Sequence, residues 1–236
     1  MTERHTPLSV ALVRLNGKYA GTGFTHVPGG DEYRNRSVLS YHYYCTIISL
    51  KPVPGNQTIP FYDRVLCDDL EGPALFRSVQ IDLIQLGGGA FLTEFAGCDG
   101  SPTCDEQIDW GLDAADQFLQ SWAFWGNTFG EQPSITRISR VYARAIAGQP
   151  IAMQYIAGQR SFYLSYFIDT TIRQPTVIFI PPVQFPQHAY NVTVNAVLQW
   201  RVDPSNANVI LVEPRPSVAT ANDSPLIGVV EIRPNM

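Results

Sequence analysis

The chain has 236 residues, is 45% hydrophobic and carries a formal charge of −5, a composition that makes it globular and able to fill one large core or two smaller ones. Its 16 basic residues are scattered among 21 acidic ones, so it has no phosphate-backbone footprint and nucleic acid is excluded as a partner. No apolar run approaches the roughly 20 residues of a membrane span, and the opening MTERHTPLSVALVRLNG lacks the apolar stretch and small-residue cleavage site of a secretory leader.

In chain order, SVLSYHYYCTIISL (37 to 50) is rich in β-branched and aromatic residues and predicts a strand that leaves into the turn-forming KPVPGNQTIP. FYDRVLCDDLEGPALFRSVQIDLIQL then places Val65, Leu66, Leu70, Leu75, Phe76, Val79, Leu83 and Leu86 at helical spacing. An interruption at Gly72-Pro73 implies one kinked helix or two consecutive ones, ended by the glycines at 87 to 89. AFLTEF is short and almost wholly apolar, the pattern of a strand covered on both faces. CDEQIDWGLDAADQFL begins with acids suited to a helix N-terminus and sets Ile108, Leu112 and Ala115 on one stripe. QSWAFWGN reads as a further buried strand, and ITRISRVYARAIAG as an amphipathic helix ending at Gly148.

That alternation of strand and helix predicts a parallel sheet of right-handed βαβ units. Beyond about residue 150 the texture changes. IAMQYIAG, SFYLSYFID, PTVIFIPP, YNVTVNAVLQWRVD, NVILVEP and IGVVEIRP are strand-like runs separated by Gly, Pro, Asn and Asp with no helical period between them. They predict an antiparallel β-sandwich. The expected fold is therefore α/β plus all-β, with domains at 1–148 and 149–236.

The four cysteines show no zinc-ligand spacing, and no metal or cofactor is expected. Cys98 and Cys104 flank the turn-forming DGSPT, which leaves Cys45 to pair with Cys67, so two disulfides are the preferred reading over four buried thiols. Sequons at Asn35, Asn56, Asn191 and Asn222, the last weakened by Pro225, also favour an oxidising compartment. The chain is then either cytosolic or a piece whose true N-terminus lies upstream.

Reactive side chains of parallel α/β folds gather at the carboxyl ends of strands, where Glu94 stands. Alternation along SYHYY sends His42 and Tyr44 to one side and Tyr43 to the other. In SWAFW, Ala123 and Trp125 share one face, Trp122 and Phe124 the opposite one. Each aromatic taken singly is better explained as core packing, and an acid at a strand end as solvated. Together they make a carboxylate, a phenol, an imidazole and an indole wall at successive strand ends, a combination suited to sugars, whose CH faces stack on rings while their hydroxyls meet polar groups. Asp68, Asp69, Asp99 and Asp203 read as solvated or turn residues, and His5, His26 and His188 have no assigned role.

GFTHVPGG, YRNRSVLSYHYYC, FLTEFAG, LQSWAFW and ISRVYARAIAGQP, in this order and spacing, resemble the later part of the endoglycoceramidase-like branch of glycoside hydrolase family 5, from about Gly21 to about residue 213. The resemblance implies a retaining β-glycosidase on a (β/α)8 TIM barrel, of which only the last strands and helices are present, followed by the sandwich. It places Glu94 as the nucleophile on the seventh strand, Tyr44 as the residue that orients it, His42 along the sugar site and Trp125 beneath the sugar, with Trp122 as the alternative. It also implies a glycosphingolipid or related β-glucoside substrate and a secreted or lumenal parent protein.

Retention needs a second carboxyl group, which the family carries in an Asn-Glu pair on its fourth strand; this chain contains no Asn-Glu dipeptide. The expectation is a C-terminal portion that is inactive alone, completed by a missing N-terminal barrel half. The alternatives are a truncated, non-catalytic module that binds glycan or lipid, and a sandwich, with Trp200, that binds carbohydrate by itself.

Overall fold

The β-branched and aromatic residues around positions 40 and 92 form two strands, β1 (Val38–Tyr43) and β2 (Gly89–Phe95), which pair in parallel. β2 also pairs in parallel with the short β3 (Ser121–Trp122), so strand order follows chain order, as it does around a barrel wall. The computed structural model describes residues 25–45, 64–95, 102–124, 132–216 and 225–235. They fall into two compact units, Met1–Ala115 with Gln120–Ser134, and Asp116–Leu119 with Ile135–Met236.

In the first unit, helix α1 (Gly72–Leu86) connects β1 to β2, and α2 (Pro102–Gln117) connects β2 to β3. The expected junction at Gly72-Pro73 is that of two consecutive helical runs, which differ in helix width. Val65–Glu71 is a π-helical run that passes directly into α1 through Gly72, whose own φ of −62° and ψ of −56° are helical. Pro73 sits in the first α-turn, directly after the π-helical run. The wider turn alters the angular spacing of side chains, so Leu70 faces outward at 52% exposure while Cys67 is fully buried. Phe76, Val79 and Leu86 keep the inward stripe on α1, as Ile108, Leu112 and Ala115 do on α2.

Gly72 is required by the indole of Trp110, which a Cβ would approach to 2.1 Å. That indole packs on the rings of Tyr43 and Phe76 at centroid distances of 5.0 and 5.7 Å. At the other end of α1, Gly87 and Gly88 take φ of 75° and 78°, and a Cβ on Gly88 would lie 2.2 Å from the carbonyl oxygen of Ser37. Arg34 donates from Nε to the Leu86 carbonyl (3.0 Å) and from Nη2 to that of Gln85 (2.8 Å), satisfying carbonyls the helix end leaves open.

The second unit contains two four-stranded antiparallel sheets among its described residues, ordered β4-β7-β10-β9 and β5-β6-β11-β8. Their strands are β4 (Tyr142–Ala145), β5 (Gly148–Ile156), β6 (Ser161–Ile168), β7 (Thr176–Phe179), β8 (Tyr190–Val194), β9 (Leu198–Asp203), β10 (Asn206–Pro214) and β11 (Ile227–Pro234). Inward-facing Phe162, Leu164, Ile178, Ile210, Val230 and Ile232 fill the space between the sheets. Each contributes about 1.5 to 3 kcal/mol by leaving water.

One expected element is replaced. The helix read from Ile135 to Gly148 is confined to α3 (Gln132–Ile138), and Tyr142–Ala145 is strand β4, paired with β7 through Tyr142 opposite Phe179 and Ala143 opposite Ile178. The apolar spacing there fits either period; the partner strand decides it, with the Tyr142 and Phe179 rings 5.6 Å apart. The change of texture near residue 148 falls inside Ile135–Met236, the longer segment of the second unit, whose other segment is Asp116–Leu119. Within this unit Arg140 is buried against Asp116, Nη2 to Oδ2 at 3.0 Å, and the same oxygen accepts the Tyr155 N–H at 3.0 Å. No described helix is long and apolar enough to cross a membrane.

Candidate active site

The burial pattern of β1 shows its two faces. Leu39, Tyr41 and Tyr43 are buried, and the rings of Tyr41 and Tyr43 meet Phe76 of α1 at 5.6 and 6.2 Å. Ser40, His42 and Tyr44 alternate with them and are only partly buried. The predicted sharing of one face by His42 and Tyr44 is observed.

On β2 the alternation changes step. Ala90 and Leu92 are buried two apart, but the next buried residue is Phe95, three positions on. The pairing shows why: Tyr41 is opposite Leu92 and His42 is opposite Glu94, so Thr93 is an extra residue, a β-bulge. With unbroken alternation Glu94 would follow Leu92 onto the helix-covered face. The bulge turns it to the face of His42 and Tyr44.

There the three side chains meet. The Tyr44 hydroxyl donates to Glu94 Oε2 at 3.0 Å, and His42 Nδ1 lies 3.2 Å from the same oxygen. The two rings stand nearly perpendicular, with centroids 6.5 Å apart. Side-chain exposures of 31% for His42 and 26% for Glu94 leave the carboxylate reachable. Burial raises the Tyr44 phenol well above the ordinary phenol range, and its bond to the Glu94 carboxylate raises it further, so Tyr44 remains a proton donor throughout the neutral range.

Trp122 is not brought to this group. It is opposite Leu92 in the sheet and packs edge-on against Phe95 at 5.9 Å, beside Phe124 at 5.6 Å from the same ring. Those contacts belong to the face turned away from Glu94. Trp125 lies outside the described residues, as do Cys98 and Asn56, and so does the side chain of Cys104.

Cys45, immediately after Tyr44, is disulfide-bonded to Cys67 in the π-helical run, with Cα atoms 5.4 Å apart. Tyr43 adds a second tie by donating its hydroxyl to the Cys67 carbonyl at 2.9 Å. The strand end bearing Tyr44 is thus anchored on both sides. Asp68, expected to be solvated, is half-buried and accepts a hydrogen bond from Gln107 at 2.8 Å; burial raises its pKa, against the lowering effect of that bond. Asp203 is the turn residue expected, accepting from the Ser205 amide at 2.9 Å and hydroxyl at 2.7 Å. Asn35 and Asn191 are exposed.

The functional detail that residue patterns did not disclose is Thr93. Alternation assumes an unbroken strand, and an inserted residue leaves no compositional mark in FLTEF.

Residues 140–222 match the glycoside hydrolase family 5 C-terminal domain. An endoglycoceramidase of Hydra vulgaris is 31% identical over 210 residues, covering 80% of this chain and 35% of its own length. One of Cyanea nozakii is 28% identical over 209 residues, covering 79% and 37%. The chain thus spans about a third of the length of these relatives. Among solved structures, endo-glycoceramidase II from Rhodococcus sp. in complex with ganglioside GM3 superposes with a TM-score of 0.65 at 19% identity, covering 84% of this chain and 42% of the other. That likeness shows the fold, a portion of the barrel followed by the sandwich.

Proposed function

Because the chain belongs, over its matched length, to the endoglycoceramidase-like branch of glycoside hydrolase family 5, we propose that it is the C-terminal portion of a retaining endo-β-glycosidase. Its substrate would be a glycosphingolipid, cut between the sugar and the lipid. The observation that carries this reading is the convergence of Tyr44 and His42 on one oxygen of Glu94. The Tyr44 hydroxyl donates to Oε2 and His42 Nδ1 lies beside the same oxygen, which orients the carboxylate; in this reading Oε1 is the oxygen that attacks.

In this reading Glu94 attacks the anomeric carbon as the bond to the lipid oxygen breaks, giving a covalent glycosyl ester and inverting that centre. A second carboxyl group protonates the departing oxygen and then deprotonates the water that releases the sugar with a second inversion. Tyr44 holds the Glu94 carboxylate in place before attack through its hydrogen bond to Oε2. His42, on the same face, is placed to meet sugar hydroxyls, and Trp125 would supply the stacking wall. The sequence contains no Asn-Glu dipeptide, so the acid/base partner would be contributed by polypeptide that completes the barrel. Disulfide-bonded Cys45 and Cys67 and the exposed sequon residues Asn35 and Asn191 support a secreted or lumenal setting.

The test uses a polypeptide in which this chain is joined to the complementing barrel strands and cleaves glycosphingolipid. Glu94→Gln should lower kcat on the order of 10⁴-fold or more, and a 2-deoxy-2-fluoroglycosyl fluoride, whose fluoride leaves without acid help, should esterify Glu94 in the unmutated protein. Retained turnover in the variant, or a label on another residue, would refute the assignment. A second reading, glycolipid binding without hydrolysis, is favoured by the single carboxylate in the group; glycolipid turnover by the purified 236-residue chain would exclude it.

A further inference from the structure

We propose that Thr93 and Ser40 are positioning residues: their hydroxyls pin the β2 bulge and thereby hold Glu94 on the face where Tyr44 and His42 meet it. This inference rests on the proposed nucleophilic role of Glu94 and adds the device that aims it. Thr93 Oγ1 donates to the carbonyl oxygen of Tyr41 at 3.2 Å, across the two strands at the point where their pairing slips. Its only hydrogen is thereby used, so in the 2.7 Å contact between Thr93 Oγ1 and Ser40 Oγ the Ser40 hydroxyl must be the donor. The result is a directed chain from Ser40 through Thr93 to the Tyr41 carbonyl.

A bulge interrupts the backbone ladder locally, and here the Thr93 side chain supplies a donor across the interruption. The same bulge reverses the facing of the next residue, because a slip of one position moves a strand's side chains to the opposite face. Loss of the hydroxyl chain removes a side-chain contribution to the slipped register at this point, beside that of the Tyr43–Phe95 pairing. Regular alternation would then carry Glu94 towards the face of Leu92, which is fully buried, and away from the Tyr44 hydroxyl. Ser40 and Thr93 are themselves only partly buried, so the device lies on the site's own face.

The experiment uses the 236-residue chain and needs no turnover. Tyrosine labelled with ¹³C at Cζ reports the Tyr44–Glu94 hydrogen bond, Tyr44→Phe identifies the signal, and Glu94→Gln gives its position once the carboxylate acceptor is lost. Thr93→Val, which keeps the side chain's shape, should move the Tyr44 signal most of the way to the Glu94→Gln position; Thr93→Ser should leave it at the wild-type position. Ser40→Ala should shift it in the same direction by a smaller amount, and it provides the reading if Thr93→Val does not fold. A wild-type Tyr44 signal in folded Thr93→Val or in Ser40→Ala overturns the proposal, as does failure of Thr93→Ser to preserve it.

In the barrel-completed enzyme, esterification of Glu94 by the fluorosugar should slow by about 10 to 100-fold in Thr93→Val with recovery in Thr93→Ser. An unchanged rate would overturn the positioning role. If the label appears on a different residue, the nucleophile assignment fails while the spectroscopic result for the bulge stands separately.

Discussion

Glu94 receives both of its described polar contacts from one neighbouring strand, from side chains two residues apart, and this makes its orientation sensitive to single atoms. Tyr44→Phe removes one hydroxyl and leaves the ring's packing with His42. We expect kcat in the completed enzyme to fall about 10²-fold, since small misplacement of a reacting group has effects of that size, while stability changes by only about 1 kcal/mol. Steady-state kinetics beside urea denaturation separates the two effects. Trp122→Ala should behave in the opposite way: its contacts are with Phe95 on the helix-covered side, so it should lower stability with little change in KM.

At the scale of elements, the end of β1 and the junctions of α1 bear the demands of the site. The Cys45–Cys67 disulfide closes a sequence separation of 22 residues beside Tyr44. Replacing both cysteines with serine should destabilise the first unit by about 3 kcal/mol, as chain-entropy arguments give for such a loop, and chemical denaturation would measure it. Gly88→Ala combines a positive φ with a Cβ that would meet the Ser37 carbonyl. It should cost more than about 1 kcal/mol and disturb the entry to β2, visible as a lower thermal midpoint. In the second unit, Asp116→Ala would remove the carboxylate that meets both the buried Arg140 guanidinium and the Tyr155 N–H, with an expected loss of about 3 kcal/mol, measurable by chemical denaturation.

Across the whole molecule, several phenols are enclosed and this sets a pH limit. Burial raises Tyr41 and Tyr43 far above the ordinary range, and the Asp68 and Glu71 carboxylates raise Tyr43 further. A pKa that is higher in the folded state gives stability that is complete below the unfolded value and is lost as pH rises, because the unfolded chain releases the proton first. Stability measured in urea should therefore stay level towards pH 9 and decline from about pH 10 upward, and Tyr41→Phe should flatten that decline. What the sequence determined alone was whatever depends on short-range period and chemistry: the strand runs, the buried stripes of α1 and α2, the glycine stop at 87 to 89, and the common face of His42 and Tyr44. What only the tertiary structure decided depended on a partner strand or helix. The pairing with β7 made Tyr142–Ala145 a strand, the indole of Trp110 accounts for Gly72, Phe95 claimed Trp122, and the pairing with β1 revealed Thr93 as the extra residue. Glu94 reaches its site through that pairing, because a bulge is a relation between two strands and neither strand's sequence contains it.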